Sequence, residues 1–209
     1  MSNQELSTAA LSVHPHRRHW DARYRASYQP RPPSALLQRW LARLPPGDAL
    51  DVACGAGRNT VLLAAYGWRV VGVDVSPVGL RIARAAAAER NLKVDLVAAD
   101  VGEWSLPTAH FDLICVFRFL DRSLCPRLER ALGPGGVLLY ETFTVAQQQL
   151  AGGPQTAALL LQPGELPQLF PTLDVLEYSE GVVAEEGQPR ALAGFVGRRA
   201  HEAFPTPQA

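Results

Sequence analysis

Two acids and a pair of closely spaced glycines stand where they could hold a nucleoside. Asp51 opens the run Val52-Ala53-Cys54-Gly55-Ala56-Gly57-Arg58-Asn59, and Asp74 ends the apolar run Val70-Val71-Gly72-Val73. Glycine has no Cβ, so the backbone of such a turn passes within contact distance of a ligand. An acid ending the next strand is placed to accept hydrogen bonds from a ribose diol. A pyrophosphate fingerprint needs a third glycine, G-x-G-x-x-G, and the frame from Gly55 reads Gly55-Ala56-Gly57-Arg58-Asn59-Thr60 without one. The pattern therefore points to a nucleoside, and away from a dinucleotide. A third acid, Asp100 in Ala98-Ala99-Asp100-Val101, closes another apolar run.

Alternating strands and helices must position these groups. The patterning predicts strands at 49–53, 69–73, 94–98, 111–117 and 137–140, with helices at 59–66, about 77–90 and 121–132 between them. Ser76-Pro77 reads as a helix start, a hydroxyl cap followed by proline at the first helical position. A helix over 34–44 precedes the first strand, with Leu36, Leu37, Trp40, Leu41 and Leu44 at helical spacing. After Phe143 a short helix is expected near 163–170. Two strands at 173–179 and 190–196 then form a hairpin around Glu185-Glu186-Gly187. Short apolar strands alternating with helices imply a parallel sheet covered on both faces. The expected fold is α/β, a seven-stranded and mostly parallel Rossmann-like sheet whose last strand is reversed. Residues 1–18 and 200–209 are expected as flexible tails around one domain at 19–199.

The bulk composition narrows the partners. Lys+Arg and Asp+Glu balance at 20 each, so there is no basic excess to draw a nucleic acid or an anionic membrane. No secretory signal or membrane span is legible, and Cys54, Cys115 and Cys125 form no even disulfide framework. A cytoplasmic protein is expected. His14, His16 and His19 lie in a polar stretch without a second ligand cluster, and no metal site is expected.

Asp51, Gly55 and Gly57 together resemble motif I of class I S-adenosylmethionine-dependent methyltransferases, acid-x-Gly-x-Gly-x-Gly, with Ala53 in place of the first glycine. Alanine is the smallest side chain available, so that departure reads as mild. The resemblance implies S-adenosylmethionine as cofactor. Asp51 would support the turn and the methionine amino group, or, read from its position alone, cap the following helix. Gly55, Gly57 and the helix start at Arg58 would face the methionine moiety. Asp74 and the adjacent Val75 would hold the ribose, and Asp100 and Val101 the adenine, with Phe117 lining the pocket. The strings His19-Trp20-Asp21-Ala22-Arg23-Tyr24, Gly57-Arg58-Asn59, Gly135–Phe143 and Pro163-Gly164-Glu165-Leu166 further resemble the tellurite-resistance methyltransferase group. By that resemblance Trp20 would pack on the cofactor and Arg23 would face its carboxylate.

Acceptor-side signals are fewer. Phe117-Arg118-Phe119 ends the fourth strand, without the Asn/Asp-Pro-Pro or Pro-Cys strings of base-modifying enzymes. Arg118 is a candidate for an anionic substrate. Glu141, at the end of the fifth strand where ligands of open α/β sheets collect, is a candidate orienting group or base. The expected function is methyl transfer to a small nucleophile such as a thiol, a chalcogen oxyanion or a small metabolite. The alternatives are an RNA or protein methyltransferase and, further off, a non-catalytic cofactor-binding protein.

Overall fold

A computed structural model describes residues 15–201. The expected tail at 1–18 lies mostly outside the described residues, but its last part, from Pro15, is helical. Helix α1 (Pro15–Ser27) and helix α2 (Ala35–Leu41) precede the sheet. The body then runs β1 (Asp48–Val52), α3 (Arg58–Ala65), β2 (Arg69–Asp74), α4 (Pro77–Ala88), β3 (Asp95–Ala98), β4 (Phe111–Phe117), α5 (Cys125–Ala131) and β5 (Leu132–Phe143). It finishes with α6 (Glu165–Gln168), β6 (Leu173–Glu185) and β7 (Gln188–Arg199). All but the first two residues of the expected tail at 200–209 fall outside the described residues.

The seven strands lie in the order β3-β2-β1-β4-β5-β7-β6. β1 to β5 pair parallel, and β7 enters between β5 and β6 antiparallel to both, so the reversed last strand is present. The chain builds outward from β1 in one direction through β2 and β3, then returns to continue with β4. The turn after β1 therefore sits at the point where strand order reverses, the usual ligand crevice of an open α/β sheet.

The two sheet faces carry separate cores because side chains alternate along each strand. Leu113, Cys115 and Phe117 of β4 point with Leu139 toward Leu36, Leu37 and Trp40 of α2 and Leu63 of α3. Ile114 and Val116 point the other way, with Leu50, Val52 and Tyr140, toward Leu128 of α5 and toward Leu166 and Phe170. This two-faced burial is why the strands read as nearly continuous apolar runs. All three cysteines are free and buried. Among the described residues no helix is long and apolar enough to cross a membrane, and no group of three His, Cys, Asp or Glu could hold a metal ion.

The C-terminal hairpin is longer than the sequence pattern suggested. β7 pairs with β5 only from Leu192 to Arg198, yet β6 and β7 continue together to Glu185↔Gln188. The arm beyond Leu192 is a two-stranded ribbon closed by Glu186 and Gly187, both at positive φ (51° and 74°). Two left-handed residues in a two-residue loop make a type I′ turn, whose twist matches that of the strands it joins. Alternation alone could not show this reach, because Val182 and Val183 on the arm are both exposed, at 60% and 48%.

Candidate active site

The turn after β1 is held from both sides. Asp51 is buried at the strand's end and accepts from the Thr60 hydroxyl at 2.6 Å and from the Thr60 amide, so it caps the first turn of α3. Burial pushes its carboxyl up to about 7, against the pull of the Thr60 bonds and the Arg58 charge. Ala53 and Gly55 follow at φ 53° and 57° and Gly57 at 79°. Ala53 thus occupies a left-handed conformation, which costs an L-residue about 1–2 kcal/mol. The alanine is a more expensive departure than its size alone implied. Gly57 has another reason to be glycine: a Cβ there would strike Ala83 of α4, so its absence lets α3 and α4 close on one another.

Asp74 reaches this turn from the tip of β2. Its Oδ2 accepts from the Gly55 amide and its Oδ1 from the Ser76 amide, both at 2.8 Å. Burial raises its carboxyl, opposed by those two bonds. Each carboxylate oxygen has a second lone pair, so the group keeps acceptor capacity for a diol. Val75 follows it, half-buried. The parallel register places Ala98 of β3 beside Asp74, which brings Asp100 and buried Val101 to the same edge. Asp100 accepts from the Gly102 amide at 2.8 Å. Phe117 is buried at the end of β4, in the core shared with α2.

Helix α1 lies over the turn with a different face inward from the one its motif suggested. Asp21 accepts from the Ser76 hydroxyl at 2.6 Å and from the Val78 amide at 3.3 Å, seating an acid at the start of α4 where the helix dipole favours it. Tyr24 sits against Gly55, whose missing Cβ makes room for its hydroxyl, and that hydroxyl accepts from the Ala56 amide. Burial, with Asp74 close by, raises the Tyr24 pKa. Trp20 and Arg23 lie outside this contact. Trp20 is 37% exposed and packs on Tyr24 with ring centres 6.1 Å apart, and the exposed Arg23 lies 5.3 Å over the Trp20 ring. Asp21 and Tyr24 share one helix face by their three-residue spacing, but so do Trp20 and Arg23, so the sequence alone did not distinguish the two pairs.

Across the crevice, Arg118 and Glu141 come together. Arg118 Nη1 lies 3.0 Å from Glu141 Oε1, and its Nη2 lies 2.7 Å from Glu185 Oε1 on the hairpin arm. Its backbone is left-handed (φ 61°), with its amide donating to the Glu141 carbonyl at 2.8 Å. A strained non-glycine residue at a strand's C-terminal end is a feature of functional sites. The Ser34 hydroxyl donates to the same Glu141 oxygen at 3.2 Å, and the Ser34 amide donates to Asn59 Oδ1 at 2.9 Å, tying the start of α2 to α3. Arg58 Nη1 donates to the Pro32 carbonyl at 3.0 Å, and Arg31 pairs with Glu186 at 3.6 Å. The segment before α2 and the hairpin arm therefore meet above the ends of β4 and β5. Glu185, Arg31 and Ser34 were not legible as site residues, because only the fold brings such distant positions together.

The turn suits the nucleoside end of S-adenosylmethionine in two particulars: an acid with spare lone pairs at the tip of β2, and a second acid beside it at the tip of β3. Comparison with known proteins agrees. Residues 49–136 match the family described as methyltransferase domain. This part of the chain is similar to a methyltransferase domain. Together with the fold around it, that likeness implies S-adenosylmethionine as the cofactor. The chain is 36% identical over 137 residues to trans-aconitate 2-methyltransferase of Methylobacterium radiotolerans, an alignment covering 57% of this chain and 51% of that protein. It is 35% identical over 105 residues to ribosomal protein L11 methyltransferase of Thermus thermophilus, covering 48% and 41%. The chain thus spans about half the length, or less, of these curated relatives. A solved structure described as showing conversion of a disulfide bond into a thioacetal group during echinomycin biosynthesis superposes with a TM-score of 0.70 at 24% identity, covering 90% of this chain and 94% of that one. At that identity the likeness shows the fold.

Proposed function

We propose that the chain is an S-adenosylmethionine-dependent methyltransferase whose acceptor is a small molecule, bound over the C-terminal ends of β4 and β5. The observation that carries this reading is Asp74, a buried carboxylate fixed by the Gly55 and Ser76 amides at the tip of β2 inside the stretch similar to a methyltransferase domain. When bound, the cofactor supplies a methyl group on a sulfonium, which is already activated toward a nucleophile. The protein's contribution is then orientation and exclusion of water, worth about 7–11 kcal/mol in well-aligned systems. Asp74 accepts from the ribose hydroxyls and Asp100 from the adenine amine. Asp21 holds α1 in place, and Tyr24, whose oxygen accepts from Ala56, turns its own proton toward the methionine carboxylate. Trp20 and Arg23 close the outer rim of that contact.

A small acceptor is favoured by the Arg118–Glu185 and Arg31–Glu186 pairs, which tie the end of β4 and the pre-α2 segment to the hairpin arm above the crevice. The curated relative that acts on trans-aconitate supports a small acid among the possible substrates. The affinity to the tellurite-resistance group rests on the local strings of α1, β5 and α6. Neutral overall charge, with no membrane-crossing helix among the described residues, supports a cytoplasmic enzyme acting without nucleic acid.

Calorimetric titration with S-adenosylhomocysteine, followed by a screen for methylated product, tests the assignment. Binding at micromolar concentrations and turnover of a small acceptor are expected. No binding at millimolar concentration would defeat the cofactor assignment, and turnover of bulk protein or RNA alone would make the acceptor a macromolecule.

A further inference from the structure

The hairpin arm carries a carboxylate into the acceptor crevice from outside the sheet. Arg118 is held firmly: its amide is bonded to Glu141, its guanidinium lies 5.3 Å over the Phe143 ring, and its side chain is only 15% exposed. Its second partner is mounted differently. Glu185 is the last residue of β6, next to the turn of a ribbon that has no third strand beyond Leu192. Ala191 and Arg190 tie the base of the arm to Thr144, Gln147 and Ala151, whereas its tip around Glu185 is a two-stranded ribbon, marginally stable by itself, so the tip is the part of this contact free to move.

Charge gives the movement a consequence. Three arginines, Arg31, Arg58 and Arg118, gather here with three glutamates, Glu141, Glu185 and Glu186. Arg58 loses some of its basicity first to burial and then to the charges of Arg118 and Arg31, with Glu185 acting the opposite way, so the group shares one electrostatic neighbourhood. With the arm down, positive and negative charges cancel. When the arm lifts, Glu185 and Glu186 leave with it, and three cations face Glu141 alone.

We infer that Glu185 holds the place of the acceptor's own carboxylate on Arg118, and that the acceptor is a molecule with two or more carboxylates that displaces the arm on entering. This rests on the function proposed above and adds the acceptor's chemical class. The exchange forms and breaks no covalent bond: one carboxylate replaces another on the same guanidinium fork, a geometry that arginine provides and lysine does not. Lifting the arm also uncovers the crevice, so binding and opening are one event.

The test is calorimetric titration of the full chain with acetate, succinate, citrate and neutral succinamide at constant ionic strength, with and without S-adenosylhomocysteine. Succinate or citrate is expected to bind, and acetate and succinamide not. Glu185→Gln removes the internal competitor without touching the core, so its affinity for the polycarboxylates should rise about tenfold. Arg118→Met should abolish binding. Equal binding of succinamide and succinate, or unchanged affinity in Glu185→Gln, overturns the inference, as does failure of every carboxylate to bind both proteins. Failure of S-adenosylhomocysteine alone counts against the proposed function, while the carboxylate arms still decide this one.

Discussion

Arg118 and Glu141 are bonded to each other, Nη1 to Oε1 at 3.0 Å, with side chains 15% and 18% exposed. Each was expected to meet a substrate separately. The pair favours a positioning role for Glu141 in the proposed enzyme, since its oxygen also takes the Ser34 hydroxyl and so links α2 to the arginine. Glu141→Gln keeps that oxygen and its geometry but removes the charge. It should raise the acceptor KM several-fold with kcat little changed, whereas Glu141→Ala should lower kcat/KM about tenfold or more, roughly 1.4 kcal/mol. If Glu141 were the general base, Glu141→Gln would abolish kcat, and steady-state kinetics of the two variants separates the cases.

Asp74 bears on the cofactor alone. Asp74→Asn keeps an oxygen for one of the two amides but loses the charge that a ribose diol would bond. Affinity for S-adenosylhomocysteine should fall by about 2 kcal/mol, near thirtyfold. Isothermal titration reads this directly, and an unchanged Kd would remove Asp74 from the site.

Tyr24 allows a cleaner distinction between the two faces of α1. Tyr24→Phe leaves the ring against Gly55 and the packing of Trp20 intact while deleting the hydroxyl. Cofactor affinity should drop about tenfold, in keeping with a bond to a charged carboxylate. Arg23→Ala, on the exposed side, should change it less. The reverse order would return the carboxylate contact to Arg23.

Ala53 is left-handed where its methyl is a liability. Ala53→Gly removes the conformational penalty and adds back some unfolded-state entropy, for a net gain of about 0.5–1 kcal/mol. Urea denaturation should show a higher midpoint at the same slope. A lower midpoint would mean that the Ala53 methyl makes packing contacts worth more than the strain.

Asp51 predicts a pH dependence. In the unfolded chain it titrates near 3.8, and in the folded protein at about 7. Between those values the folded state binds the extra proton, so this group's contribution to stability is full below about pH 4 and is lost as pH rises through about 7. Roughly three units correspond to about 4 kcal/mol at most. Asp51→Asn retains an acceptor for Thr60 and has no proton to lose. Relative to wild type it should therefore gain stability from about pH 4 to about pH 7 and level off above that in urea melts, and a difference constant with pH would contradict the burial of Asp51.

Much of this protein is legible in its sequence because local physics determines it. Short, nearly continuous apolar runs, Ser76-Pro77 at a helix start and glycines in a tight turn specify strands, caps and the βα unit over short distances. The acids at the tips of β1, β2 and β3 follow from that unit, so the positions from which the donor side is proposed could be read from the sequence. The acceptor side could not. Ser34 and Glu141 are 107 positions apart and Arg118 and Glu185 are 67 apart, and no periodicity connects them. Nor could α1 reveal from its motif which face turns inward, since Trp20 and Arg23 are as plausible there as Asp21 and Tyr24 until Ser76 and Gly55 are in place. Tertiary structure decided these matters because each depends on long-range packing: the reach of the β6–β7 arm, the insertion of β7 beside β5, and the docking of α1 on α4.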